Sequence, residues 1–376
     1  RTHSLSQTQN PRNHDKMVST ATTATTATKP MLDGKVVLVT GANGYIGSML
    51  VKQLLEDGYK VRGTVRKLDQ PELMALPNAK DNLQLVHLDL HGNYDDFVKV
   101  VQDDVVWVFH VAASVMETFH VDMKDEQKYI DTHVNGTLSL LKAAQQVGKV
   151  TKFIVTSSTA AINAGHDFSS SSRTSSPFTE DDWSIIDDGQ KMLTYFKIKT
   201  LSEKAAWEYM GTLNGKRNFT LSTINPASVV GPACLSTTSS SFEIITRNLK
   251  GLDPAVADIF MPLVDIRDVV EAHIQAAQRD EAAGKRFLLI KSGDGEISMT
   301  EISKILYDEF APMGCPVPNK RMPTWLIWIM SFFSKDLAMW YPMVGVRYNL
   351  DNTRSKEVLG LKYDRSIKES LIDGGY

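Results

Sequence analysis

Tyr195 and Lys199 stand four residues apart in Tyr195-Phe-Lys-Ile-Lys199. On a helix that spacing brings both side chains to one face, and the segment reads as a helix running on through Leu201, Ala205 and Ala206. An isolated tyrosine is a weak acid, with a pKa of roughly 10. A neighbouring ammonium favours the phenolate and lowers that value, which suits proton transfer at working pH. Pairs of this spacing are common by chance. This one gains meaning from Phe153-Ile-Val-Thr-Ser-Ser158 upstream, which reads as a strand ending in two hydroxyls. A serine there could hold a substrate carbonyl oxygen, or it could satisfy a local backbone group.

A second stretch has binding chemistry. Val36-Val-Leu-Val-Thr40 is an apolar, largely β-branched run that ends in Gly41, Gly44 and Gly47. Ser48 to Asp57 then reads as a helix, with Ile46, Leu50 and Leu54 recurring on one face and Gly58 as its C-cap. Strand, glycine turn and helix is the context a nucleotide-binding reading demands. Gly41 allows the tight turn, Gly44 a close approach to a pyrophosphate, and Gly47 close helix–strand packing. The phosphates would sit at the helix N-terminus, where unpaired N–H groups and the dipole favour an anion. The spacing is GxxGxxG rather than the usual GxGxxG.

These residues need a scaffold, and the intervening chain supplies one. Tyr59 to Val65 alternates as a second strand, with Arg62, Arg66 and Lys67 at its end and no carboxylate until Asp69. An acidic residue there would take a ribose 2′-OH and select NAD. Arg66 instead suits a 2′-phosphate, so NADP is favoured over NAD, against the alternative of a solvated basic strand end. Leu83 to Leu88 is a third strand, followed by Asp89 and Leu90. Asp89 could accept from an adenine amino group, or the acidic residues here could serve to cap the next helix through Asp95 and Asp96. Val105 to Val111 is nearly continuous in apolar residues, as a central parallel strand requires, and ends in the small pair Ala112 and Ala113. A helix from Val134 carries Leu138, Leu141 and Ala144 inward. The alternation predicts an α/β fold, a Rossmann-type doubly wound parallel sheet. Ligands of such sheets bind outside the carboxyl ends of the strands. The glycine turn, Asp89, Ala113 and Ser158 all fall on that edge.

The rest of the chain sets limits. Its 376 residues are 42% hydrophobic and 23% charged, an ordinary globular balance. A net charge of −3 gives no global attraction to nucleic acid or to an anionic membrane. Cys234 and Cys315 make neither a disulfide framework nor a metal-ligand spacing, so a reducing, cytoplasmic setting is expected and no metal. Residues 1–33 hold a Thr/Ala-rich run and are read as a disordered tail. The chain opens on Arg1 and its first methionine is Met17, so residues 1–16 could lie outside the natural protein, and a transit segment stays open. Residues 164–190 read as a polar surface excursion returning at Trp183. His273 reads as a helix-face residue, and Ser298 to Glu301 as a capping box. Trp325 to Phe333 is too short to span a bilayer and is read as a buried or ligand-facing helix, with weak membrane association left open.

Taken together, the TGANGYIGS turn, the Ser-Ser strand end, YFKIK and Asn225-Pro-Ala-Ser-Val-Val-Gly231-Pro232 resemble the extended short-chain dehydrogenase/reductase superfamily. VRGTVR at 61–66, VFHVAAS at 108–114 and YFKIKTLSEKAAW resemble its dihydroflavonol reductase, cinnamoyl-CoA reductase and fungal carbonyl reductase branch. The resemblance implies that Tyr195 protonates a carbonyl oxygen, that Lys199 contacts the nicotinamide ribose and lowers the tyrosine pKa, and that Ser158, rather than Ser157, polarises the carbonyl. It implies cofactor contacts at Gly41, Gly44, Tyr45, Ile46 and Gly47. Arg66, with Lys67 in place of a more distant lysine, would take the 2′-phosphate. Asp89 and Leu90 would flank adenine; Val111, Ala112 and Ala113 would line the cofactor; Pro226 and Val229 would lie near the nicotinamide. Asn163 stands where dihydroflavonol reductases carry a substrate-contacting Asn, with different flanks.

The expected organisation is a tail (1–33), an NADP-binding domain (34–231, rejoined by 262–275 and 286–291) and a substrate-binding region (232–261 and 292–376). The pocket is assigned to 164–190, 232–260 and 323–350. The expected activity is NADP-dependent reduction of an aldehyde or ketone by a monomer or homodimer. Its rivals are an NAD-dependent 3β-hydroxysteroid-type dehydrogenase, a sugar-nucleotide epimerase and a non-catalytic NADP-binding sensor or scaffold. Intact Ser158, Tyr195 and Lys199 argue against the last.

Overall fold

The computed structural model describes residues 34–112, 125–166, 176–187, 192–236, 240–291, 293–333 and 341–376. The Thr/Ala-rich tail, Ala113, and parts of the excursion and of the proposed pocket segments lie outside the described residues.

Seven parallel strands make the central sheet: β1 (Val36–Thr40), β2 (Lys60–Val65), β3 (Leu83–His87), β4 (Val105–His110), β5 (Lys152–Thr156), β6 (Thr220–Pro226) and β9 (Arg286–Leu289). Their order is β3-β2-β1-β4-β5-β6-β9, so the sequence runs outward both ways from β1 and β4. That reversal makes a crevice at the carboxyl ends of the two central strands. Every residue of β4 is buried, because helices cover both faces there and the run VVWVFH has no polar face to give to water. Its register against β1 pairs Thr40 with His110 at the edge where the crevice opens.

Helices Tyr45–Glu56 and Ile266–Gln278 pack together, while Tyr94–Val101, Glu126–Val147 and Thr194–Thr212 pack in succession. Two cores result. One holds Val37, Val39 and Phe109; the other holds Leu38, Val108, Phe153 and Leu141. The alternating side chains of β1 divide between them, as the two-residue repeat of a strand requires. The Glu126–Val147 helix begins two turns before the expected Val134, and its extra turns bring His133 inward.

A second sheet joins β7 (Ser228–Val230), β8 (Phe260–Asp265) and β10 (Glu296–Ser298), in the order β10-β8-β7. The expected boundaries shift here. Residues 228–230 and 260–265 belong to this small sheet, whereas β9 and the 266–278 helix return to the central one. The capping box at Ser298 and Glu301 is formed, and Gly58 takes φ +85° just past its helix. The described residues form one compact unit.

The buried reading of Trp325 to Phe333 is corrected. The Thr324–Ser331 helix rests on the Tyr341–Met343 turn and, within Thr324–Ser331, buries only Ile327. Trp325 is 63% exposed and Phe333 88%. An apolar run of this length fixes a helix but not what covers it, because a helix apolar all round carries no signal for which face turns inward. Among the described residues, no helix is long and apolar enough to cross a membrane.

Candidate active site

The glycine turn is built by close contacts. Gly41 has φ +66°, and a Cβ there would stand 2.9 Å from Ala112 Cα. A Cβ on Gly47 would stand 2.1 Å from Gly41 O. At Gly44 a Cβ would meet only Gly41 O, at 3.3 Å, so its outer side is open. The Tyr45–Glu56 helix starts immediately after, with Gly44 as N-cap and no side chain capping it. Its first N–H groups, at Tyr45, Ile46 and Gly47, therefore face the turn without intrahelical partners. This cradle fits a pyrophosphate. The Tyr45 ring itself is turned away: its hydroxyl donates to Gly231 O at 2.7 Å, and burial pushes the phenol pKa far up. Any part of Tyr45 in anion binding is confined to its backbone.

Thr40 closes the turn from below. Its Oγ1 accepts from Val111 N and Ala112 N, both at 3.1 Å. Its own proton is then left for His110 Nδ1, 2.9 Å away, so His110 carries its hydrogen on Nε2 and donates it to Thr137 Oγ1 at 3.1 Å. Burial, followed by the Lys199 charge, drops the His110 pKa to about 3, which keeps the ring neutral.

The three basic positions near the end of β2 divide. Arg62 is buried, pairing with Asp104 at 2.8 Å and donating to Gln84 at 2.9 Å, so it is a structural residue. Arg66 and Lys67 are exposed beyond the last residue of β2. Asp89 accepts from His91 N at 3.0 Å through Oδ1, forming its own turn, and one carboxylate oxygen remains. Asn93 occupies the N-cap position of the next helix without a side-chain cap bond, and Asp95 and Asp96 lie in its first turn. Leu90 packs on Gly136, where a Cβ would be 3.2 Å away. Pro226 ends β6, and Val229 is buried in β7.

Ser158, Tyr195 and Lys199 converge at the carboxyl end of β5. Ser158 Oγ accepts from Ala160 N at 3.1 Å, and the same hydroxyl is hydrogen-bonded with the Tyr195 phenol. The local role and the facing role are thus both filled by one oxygen. Lys199 is buried and donates from Nζ to Thr156 O at 2.9 Å. Burial lowers its pKa to about 8, with Glu203 opposing. The expected lowering of the tyrosine by this ammonium is not what the geometry gives. Burial raises the Tyr195 pKa, and the counteracting cause is the hydrogen bond from Ser158. The start of the Thr194–Thr212 helix is pinned by Glu126, which accepts from Thr194 Oγ1 and Lys197 Nζ, each at 2.9 Å. Asn163 is buried just past the short Thr159–Ala161 turn, its N–H donating to Thr159 O. His273 is a buried helix residue whose ring bridges Val269 O and Thr156 Oγ1, both at 2.7 Å.

Sequence reasoning missed a buried cluster behind these groups. Glu203, fully buried, accepts from Ser157 Oγ at 2.5 Å, Asn225 Nδ2 at 2.7 Å, Thr223 Oγ1 at 2.9 Å and Arg286 Nε at 2.6 Å. The signal was an acid one helical turn after Lys199, on an inner face, and an arginine inside the apolar strand RFLL. A small cavity of about 20 Å³, room for a water molecule, lies between His110, His133, Thr137, Lys199 and Glu203. Among the described residues, no cluster could hold a metal ion.

Residues 37–289 match the model of the NAD dependent epimerase/dehydratase family. A cinnamoyl-CoA reductase of Medicago truncatula is 32% identical, over 75% of this chain and 83% of its own. An NADPH-dependent methylglyoxal reductase of Saccharomyces cerevisiae is 28% identical, over 90% of this chain and 96% of its own. The crystal structure of yeast methylglyoxal/isovaleraldehyde reductase Gre2 complexed with NADPH superposes with a TM-score of 0.74 at 25% identity, covering 90% of this chain and 96% of that one. The chain therefore belongs to the NAD dependent epimerase/dehydratase family and is an oxidoreductase of the extended short-chain dehydrogenase/reductase type.

Proposed function

We propose that this protein reduces an aldehyde or ketone to an alcohol at the expense of NADPH, with Tyr195 as the general acid. The observation that carries the reading is the convergence of the Tyr195 phenol, the Ser158 hydroxyl and the Lys199 ammonium at the carboxyl end of β5. The names of similar proteins support the reaction class: the yeast relative is an NADPH-dependent methylglyoxal reductase and the plant relative a cinnamoyl-CoA reductase. The nicotinamide, when bound, supplies the hydride.

The chain's own residues supply the rest. The glycine cradle and the helix N-terminus hold the pyrophosphate. Arg66, aided by Lys67, takes the 2′-phosphate, two of whose charged oxygens can meet the planar guanidinium fork. Asp89 and Leu90 flank the adenine. Val111, Ala112 and Ala113 give the cofactor a small-residue wall, and Pro226 and Val229 stand near the nicotinamide. Ser158 donates a hydrogen bond to the carbonyl oxygen, while Tyr195 donates its proton there as negative charge develops. In the absence of substrate the two hydroxyls hold each other, so a carbonyl oxygen inserts between groups already aimed at one point. Lys199, as the ammonium, contacts the nicotinamide ribose. Its pKa of about 8 predicts that reduction weakens as pH rises past that value, because the lysine then becomes neutral. Asn163 contacts the substrate. A monomer or homodimer acting on a small carbonyl compound is the form proposed.

The test is Tyr195→Phe. NADPH binding, measured by calorimetry, is expected to persist, while reduction of a carbonyl panel that includes methylglyoxal falls by about 10²- to 10⁴-fold. Equal rates in the variant and the parent would remove Tyr195 as the acid. Absence of NADPH binding in the parent would remove the whole reading.

A further inference from the structure

We propose that Glu203, clamped by Arg286, is a positioning residue of the site: one buried carboxylate fixes the backbone that carries Ser158 and supplies the negative charge that faces Lys199. This rests on the carbonyl reductase reading above.

Glu203 Oε2 accepts from Ser157 Oγ and Asn225 Nδ2, and Oε1 from Thr223 Oγ1, Arg286 Nε and, at 3.2 Å, Trp207 Nε1. Both oxygens take donors only, and one donor is a guanidinium, the pattern of an ionised carboxylate. A carboxylate bound this fully is costly to bury and strongly directional once buried. Two of its contacts lead toward the site. Ser157 is the chain neighbour of Ser158. Asn225 Nδ2 donates also to Ser158 O at 3.2 Å, so the same amide spans Glu203 and the reacting serine's backbone.

Arg286 extends the clamp outward. Its Nη2 donates to Ala161 O at 3.2 Å, and its Nη1 to Glu180 O at 2.8 Å and Asp182 O at 2.6 Å. Its guanidinium lies 3.7 Å from the centre of the Trp183 ring. The segment just before Asn163 and the returning excursion are therefore tied to one charge pair inside the sheet.

Glu203 also lies one helical turn past Lys199 and lines the same small cavity. The groups facing Lys199 are Tyr195 and Glu203 on its own helix, His110 from β4, His133 from the Glu126–Val147 helix, and His273 across Thr156. Burial keeps His110 and His273 neutral near pH 7, and Glu203 is the facing group whose charge favours the ammonium.

The test uses Glu203→Gln, Glu203→Asp and Asn225→Ala in the full chain. Lys199 titration is followed by NMR of lysine side-chain nitrogens, assigned with Lys199→Arg, and steady-state carbonyl reduction is measured in parallel. In Glu203→Gln the lysine is expected to lose its proton at lower pH, with the alkaline limb of the rate profile moving the same way. Its kcat is expected to fall by about 10- to 100-fold while KM for NADPH moves less than about threefold. Glu203→Asp restores the titration. Asn225→Ala lowers kcat but leaves the titration in place. A folded Glu203→Gln protein with parental titration and kcat overturns the proposal. If Glu203→Gln does not fold, Asn225→Ala with unchanged kcat, or Glu203→Asp with a titration shifted downward, overturns it. The NMR titration stands whether or not any carbonyl substrate is turned over, so failure of the reductase reading is seen separately.

Discussion

At the scale of single residues, identical chemistry is sorted by where a strand places it. Arg62 and Arg66 are both basic positions near the end of β2, yet only one faces water. Arg62 sits within the strand, over the sheet, and is consumed by Asp104 and Gln84. Arg66 lies one residue past the strand, on the crevice edge. Arg66→Asp is expected to invert cofactor preference. Calorimetric NADPH affinity should drop at least about tenfold, since a charge-assisted contact to phosphate is replaced by like-charge repulsion, while NADH binding holds or improves. Unchanged NADPH affinity would mean that the 2′-phosphate lies elsewhere. The two serines divide in the same way. Ser157 turns into the sheet toward Glu203, and Ser158 turns toward Tyr195.

At the scale of elements, the glycine turn works because three backbones touch. Gly47→Ala would force a methyl against Gly41 O, where the neighbour is backbone and cannot swing aside. The expected result is a displaced turn, NADPH binding weakened by an order of magnitude or more, and a lowered unfolding midpoint, read by calorimetry and thermal scan. Such overpacking typically costs about 1–3 kcal/mol. Gly44→Ala meets only one atom at a tolerable distance, so its fold should survive while the open approach narrows. A Gly47→Ala protein that binds NADPH as the parent does would show that the helix can slide without cost. The Thr194–Thr212 helix depends likewise on Glu126, whose two hydrogen bonds seat its first turn and thereby Tyr195.

At the scale of the whole molecule, buried ionisable groups link folding to pH. His110 and His273 are held neutral, with pKa values near 3 and 4, by burial. An unfolded histidine takes a proton near pH 6.5. Between there and the folded values the unfolded chain binds more protons, so stability rises with pH and is lost on acidification. Asp265, where burial is outweighed by hydrogen bonds from Arg267 and Ser370 and the pKa is lowered, adds a further loss only below the ordinary carboxylate value of roughly 4. Asp268 opposes them: burial raises it to about 6, and its native proton uptake on acidification is stabilising. With the two imidazoles, shifted furthest, against the Asp268 and Glu180 carboxyls that burial raises, the unfolding midpoint is expected to fall as pH drops from about 6.5 toward 4. His273→Gln should flatten that slope. A midpoint that holds or rises over this interval would show that a histidine is charged in the fold.

The nucleotide-binding half was legible in the sequence because its signals are local. A β-branched run, three glycines and a helical repeat each act over a few residues, and their order fixes a parallel sheet and the edge where ligands sit. Tyr195, Lys199 and Ser158 could be nominated for the same reason, by spacing and strand ends. What only the tertiary structure decided was which way long side chains turn and which distant groups meet. Glu203 and Arg286 are 83 residues apart and form a pair because the Thr194–Thr212 helix packs on β6 and β9 lies beside β6 in the sheet order. Arg62 became structural through Asp104, across the sheet. The Thr324–Ser331 helix became exposed because burial depends on a partner surface, and the six apolar residues from Trp325 to Met330 do not specify one. Local backbone preference is written residue by residue; charge pairing and coverage are properties of the assembled chain.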